Sequence, residues 1–310
     1  MKHDGTADAR PRLPVGTGGL GAVVLLLIAA PCFVTLPWSV SRYEGEAGDE
    51  AYARSAPSMR FPLGTDGLGR SLLWRCLLGG AISLGIGISA ALIALVIGVS
   101  WGAVAGLAGG RVDATMMRVV DVLYGLPYIL LVVLIDLAFS PVVEDALSWL
   151  VPAGSTKTVA NVVTLLVAIG GLSWLTMARV IRGQVLSLRR QPFVEAARAC
   201  GVGGFGILRR HLVPNLMGPM IVYATLTVPS AILAESTLSF LGLGVQAPLP
   251  SWGSLASDGV QELHNLGLAG SEMRWWLILW PCVLLGATLL ALNLYGDGLR
   301  ERFDPKSVRV

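Results

Sequence analysis

The chain has 310 residues, 54% of them hydrophobic and only 14% charged, with a mean hydropathy of +0.68. An ordinary soluble domain carries about 25% charge, so the composition argues against a single water-soluble globule and against disordered, collagen-like or coiled-coil chains. A net charge of +3 from 23 basic and 20 acidic residues gives no basic surface for nucleic acid.

A bilayer core takes about 20 apolar residues per helix. Uncharged runs occur at 13–41, 76–110, 122–135 (continuing past Asp136 to Val143), 158–178, 212–234 (continuing past Glu235) and 275–296. They predict six membrane helices, because lipid offers no partner to open backbone. The first run has no convincing A-x-A cleavage site and reads as a retained anchor. The acidic stretch Glu44, Glu46, Asp49, Glu50 follows it.

The 76–110 run would reach roughly 52 Å as one helix, against a core of roughly 30 Å. Its beginning is expected to continue a surface helix from about Leu68. Gly98, Gly102, Gly106 and Gly110 recur every four residues, which places them on one face as a helix-packing seam. In the third run Asp121 marks the start, where it can face headgroups or the helix dipole. Asp136 sits late in that run. It is a candidate gate or cavity residue by the cost of burying charge in lipid, with a structural or interfacial role as the alternative. A long loop at 140–158 follows.

Residues 179–211 form the most polar connection. Gln191-Pro192 breaks the preceding helix. A short helix is expected over 193–200, ended by Gly201 in a left-handed cap. A second short helix near 205–211 runs to Pro214, where the fifth span begins. Two small helices joined at a glycine make a knob suited to docking. Glu195 can accept hydrogen bonds from backbone or arginine and fix it. In the fifth span Glu235 is either a gate or cavity residue or a structural partner. Residues 242–273 are rich in Gly, Pro and Ser, with Pro248, Pro250 and Trp252 restricting them.

Orientation follows from Lys and Arg. With both termini inside, segments 1–12, 111–118, 179–211 and 300–309 hold 3, 2, 7 and 4 of them, and the outside segments 42–75, 157 and 274 hold 5, 1 and 1.

Enzyme signatures are missing. There is no HExxH, GxSxG or GxxxxGK[ST]; His3, His211 and His264 are unpaired in sequence, and Lys2, Lys157 and Lys306 are the only lysines. GxGxxG occurs at Gly16-Gly18-Gly21 and Gly201-Gly203-Gly206, but neither follows a strand. Cys32, Cys76, Cys200 and Cys282 lie far apart, without metal or disulfide spacing.

Glu195-Ala196-Ala197, then Gly201 and Pro214, resembles the EAA loop of ABC importer permeases. The stretch from Val194 to Asp258, Phe61–Ser71 (FPLGTDGLGRS), 109–127 and 293–305 together resemble the C-type permease subunit of the dipeptide, oligopeptide and nickel importers. The likeness covers about residues 60–305. Ser71 departs from the usual Asp, and His211 and Val213 from the general EAA pattern's Ile and Leu.

The resemblance implies an all-α integral membrane protein of six helices with the type I ABC importer (MetI-like) fold. It implies an ATPase-docking loop of Glu195, Ala196, Ala197, Gly201 and Pro214. The implied partners are a homologous B-type permease subunit, two ABC ATPase subunits, an extracytoplasmic substrate-binding protein and membrane lipid. ATP and Mg would be bound by the ATPases and no cofactor or metal by this chain. The location implied is the bacterial inner membrane. The chain then divides into a tail (1–17), a first helix with an extracytoplasmic segment (18–79), the transmembrane domain (80–297) and a second tail (298–310). Peptide is the expected solute, with nickel or another small solute as the alternative. A secondary transporter would need inverted repeats and central charges, and an intramembrane enzyme paired catalytic groups; neither pattern is evident.

Overall fold

The computed structural model describes residues 17–45, 50–152, 154–264 and 274–303. Of the expected tails, 1–17 is described only at Thr17 and 298–310 only through Phe303, where α11 ends; residues 265–273 also lie outside the described residues. Among the described residues the regular elements are helical. They are α1 (Thr17–Val34), α2 (Leu36–Gly45), a short 3-10 turn (Glu50–Tyr52), α3 (Leu72–Ala108), α4 (Gly110–Tyr124), α5 (Tyr128–Leu147), α6 (Thr156–Leu188), α7 (Pro192–Ala199), α8 (Gly204–Ile207), α9 (Val213–Phe240), α10 (Trp252–His264) and α11 (Trp276–Phe303).

Four helices are long and apolar enough to cross a membrane: α3, α6, the continuous stretch Gly204–Phe240, and α11. Counting each of two bent pairs as one span brings the number to six: α1 with α2 at 55°, and α4 with α5 at 94°.

The centre of the bundle is the α3–α6 seam. Gly98, Gly102 and Gly106 are buried on α3. A Cβ on Gly98 would lie 2.6 Å from the Met177 Cβ, and one on Gly106 2.8 Å from the Val185 Cβ; one on Gly102 would meet the Ala178 carbonyl. The stripe continues through Ala90 and Ala94, both fully buried. Small residues at four-residue spacing thus bring two backbones together. Gly110 does not belong to this seam. It opens α4 at φ +55°, and nothing lies within 4 Å of its Cβ position.

A second close approach joins the first span to the last. A Cβ on Gly18 would lie 2.9 Å from the Gly298 Cα, and one on Gly21 2.7 Å from the Tyr295 nitrogen.

Several expectations need correction. α3 begins at Leu72, without a surface helix from Leu68. Thr65 and Ser71 form an antiparallel bridge instead. Asp66 organises this turn, its Oδ1 accepting from the Leu68 and Arg70 amides at 2.9 and 2.8 Å. The expected division at 79/80 therefore falls inside one unbroken helix. Within the third span, the helix that carries Asp136, α5, begins at Tyr128, not near 122. Pro127 removes an N–H and pushes the preceding residue off helical geometry, so the chain turns at Gly125-Leu126-Pro127. Asp121 lies in the last turn of α4 and pairs with Arg179 at 2.8 Å. The loop expected at 140–158 contracts, because α5 runs through Pro141 to Leu147 and α6 starts at Thr156. Finally, the helix expected near 205–211 does not end before Pro214. It passes through a π turn at Leu208–Leu212 into α9. π turns accommodate local irregularities in a helix, here just ahead of a proline that brings no N–H.

Candidate functional site

Two features stand at different places on the bundle. The first is an open groove of about 840 Å³ between the α4–α5 turn, α6 and α9. Its lining is largely apolar, with a row of hydroxyls on α9: Tyr223, Thr227, Ser230 and Thr237. Their spacing of four, three and seven keeps them on one helical face. No Lys, Arg, His, Asp or Glu lines the groove. Among the described residues no group of three or more His, Cys, Asp or Glu is placed to hold a metal.

The expected gate residues do not face this groove. Glu235 is fully buried, turned away between α9, α3 and the segment leading into α10. Its carboxylate accepts from Ser83 Oγ at 2.8 Å, Ser239 Oγ at 2.6 Å and Ser236 Oγ at 3.3 Å. Ser83 and Ser239 in turn accept from the Trp252 and Val245 amides at 3.3 and 2.9 Å. A lone carboxylate in this interior would be very costly; one surrounded by donors ties elements together. In this structure Glu235 ties α9 to α3. Asp136 is half-buried on α5, hydrogen-bonded with Ser140, its Oδ1 enclosed without a partner. It too is absent from the groove lining.

The second feature is the knob at one end of the bundle. Gln191 leads into α7 with Pro192 in the first turn, where its missing N–H costs nothing. Val194 and Ala197 point inward and join Ile181, Val185, Ile207 and Leu212 in one apolar cluster. Glu195, Ala196 and Pro214 are exposed. Among the described residues the Glu195 carboxylate has no hydrogen-bond partner, so it does not fix the loop as expected; it is free for another molecule.

Gly201 terminates α7 at φ +81°. Its N–H donates to the Arg198 carbonyl at 2.9 Å, and the Val202 N–H to the Ala197 carbonyl at 3.0 Å. That pair of bonds is a Schellman motif, and it aims the chain directly into α8 and the span beyond.

Between groove and knob, α4 is pinned to α6. Arg182 contacts Asp113 through Nε at 2.5 Å and Nη2 at 2.6 Å. Arg179 contacts Asp121 and lies 4.1 Å over the Tyr124 ring. At the opposite end of the bundle, Arg75 bridges Asp66 and Asp258 at 2.9 and 3.1 Å. There too, Arg54 and Arg274 flank Glu262. The hydrogen bonds from Arg54, then that from Arg274, hold the Glu262 carboxyl below the usual range against the opposing effect of burial.

The groove hydroxyls were not singled out in the sequence, although the 3–4 spacing of Tyr223, Thr227, Ser230 and Thr237 was there to find.

Comparison with known proteins adds an independent finding. The family described as binding-protein-dependent transport system inner membrane component matches residues 98–309. The oligopeptide transport system permease protein OppC of Escherichia coli (strain K12) is 42% identical over 301 residues, 96% of this chain and 90% of that protein. The dipeptide transport system permease protein DppC of Bacillus subtilis (strain 168) is 44% identical over 250 residues, 81% of this chain and 70% of that protein. Among solved structures, a chain of the MetNI methionine ABC transporter matches with a TM-score of 0.54 at 18% identity. The match spans 75% of this chain and 98% of that one, a likeness of fold.

Proposed function

This chain belongs to the family of binding-protein-dependent transport system inner membrane components, the permeases of ABC importers, and from that premise we propose that it forms half of a pathway for di- or oligopeptides. The other half is a homologous B-type subunit. Two separate ATPases bind ATP and Mg, one of them docking on this knob, and an extracytoplasmic binding protein delivers the solute. The α7 end faces the cytoplasm, as the excess of Lys and Arg at 179–211 supports.

The observation that carries this reading is the construction of the knob. Its inner face is anchored in the bundle by Val194 and Ala197, while Glu195, Ala196 and Phe193 remain outside. Such an element transmits force from a bound partner without unfolding. The groove supports peptide as the solute. Hydroxyls and apolar side chains match a chain of amides with varied substituents, whereas nickel would call for imidazole, thiolate or carboxylate ligands.

The test is reconstitution of the complete complex in vesicles. Uptake of a labelled tripeptide is expected only with ATP, the ATPases and the binding protein together. Uptake by the permease subunits alone, driven by an ion gradient, would overturn the reading in favour of secondary transport.

A further inference from the structure

The groove hydroxyls differ in where their protons go. A Ser or Thr in a helix can turn its O–H back to the carbonyl four residues earlier. Thr227 donates to the Tyr223 carbonyl at 2.7 Å, Ser230 to Leu226 at 3.3 Å and Thr237 to Leu233 at 2.7 Å. On the facing helix Ser173 donates to Ile169 at 2.8 Å. A hydroxyl has one proton and two lone pairs. With the proton committed inside the helix, lone pairs are what these residues offer a solute.

The remaining hydroxyls do not reverse the balance. Tyr128 shares a hydrogen bond with Ser173, whose own proton is already committed. Tyr124, Thr176 and Tyr223 keep protons that no other described residue accepts. Tyrosine rings along the wall also present negative faces to a cation. Beside the groove, Arg179 is held by Asp121 and covered by Tyr124. An anion losing its water in this groove finds no counter-charge and few donors.

We propose, on the basis of the peptide reading, that the groove is a hydrogen-bond acceptor surface which passes cationic and neutral peptides in preference to anionic ones. Amide N–H groups and ammonium groups meet oxygen lone pairs along α9, while glutamyl and aspartyl side chains meet no counter-charge and only the O–H groups of Tyr124, Thr176 and Tyr223 as donors.

Two measurements on the complete transporter test this, in a background where the exposed Cys200 and Cys282 are serine. In the first, Ser230→Cys is labelled with a cationic and an anionic methanethiosulfonate of similar size, and the rate ratio is normalised to a free thiol in solution. The expected ratio favours the cation by about fivefold, the equivalent of one net hydrogen bond. It falls toward unity when Thr227→Val removes the neighbouring oxygen without changing the volume. In the second, uptake of a lysine-containing tripeptide is compared with that of a glutamate-containing one, each corrected for binding-protein affinity. Faster lysyl-peptide uptake is expected, with the difference reduced in Thr227→Val. A labelling ratio at or below that of the free thiol would overturn the acceptor surface. Uptake of neither peptide, with the labelling ratio intact, would overturn the peptide reading and leave the acceptor surface standing.

Discussion

Glu235 joins three serines, two from its own helix and Ser83 from α3, 152 positions away. Replacing it with alanine orphans those buried hydroxyls and leaves a void, at a cost of about 2–4 kcal/mol. Glu235→Ala is therefore expected to lower the thermal midpoint and yield of the purified complex, with Glu235→Gln intermediate, since an amide keeps one acceptor. An unchanged midpoint with ATP hydrolysis uncoupled from uptake would return Glu235 to the gate. The carboxylate itself was legible in the sequence, conspicuous in an apolar run. Its role was not, because Ser83 reaches it only through the folded bundle. Glu262 makes a second prediction at this scale. Its folded-state pKa lies below the unfolded value, so its pairing with Arg54 and Arg274 stabilises above the unfolded pKa and is lost as pH falls through the folded one. The difference in thermal midpoint between the native protein and Glu262→Gln is expected at pH 7, to shrink once pH falls below the ordinary glutamate range of about 4.3, and to vanish only below the folded-state pKa. Arg54 is well exposed, so solvent screening keeps the difference small.

Among the elements, α7 depends most on one residue. A Cβ at position 201 meets nothing within 4 Å, so the cost of substitution there comes from the backbone alone. Valine at φ +81° costs at least about 1–2 kcal/mol, whereas asparagine visits this region readily. Gly201→Val is expected to weaken retention of the ATPase by about tenfold while the chain still inserts, and Gly201→Asn to retain it. Pull-down of the ATPase from detergent extracts measures both. Equal retention by the valine variant would remove the knob from the docking surface. The cap and the short helix were readable because Pro192 and Gly201 act locally. The 94° turn between α4 and α5 is hidden in the sequence because apolar residues run across it. Val122 and Leu123 extend the uncharged run, yet they belong to an amphipathic helix pinned by Asp113 and Asp121.

Across the whole molecule, the six-span arrangement makes a sidedness prediction. With Cys200 and Cys282 replaced, cysteines at Met59 and Gln246 should react with an impermeant reagent from outside, and cysteines at Arg190 and Phe205 only after the membrane is opened; all four positions are exposed. The reverse pattern would invert the topology. Hydropathy predicts the number of spans and charge their orientation, but neither says which spans are neighbours. The Gly18–Gly298 contact shows why: its residues share no local pattern and meet only when the ring of helices closes. That contact also sets a timetable for biosynthesis. The glycine face of α1 leaves the ribosome about 280 residues ahead of its cover on α11, on the order of 15–60 s at cellular elongation rates. Throughout that interval α1 waits in the bilayer with its flattest side against lipid or against whatever holds nascent helices. The bundle is sealed by α11, which is translated after every helix it covers.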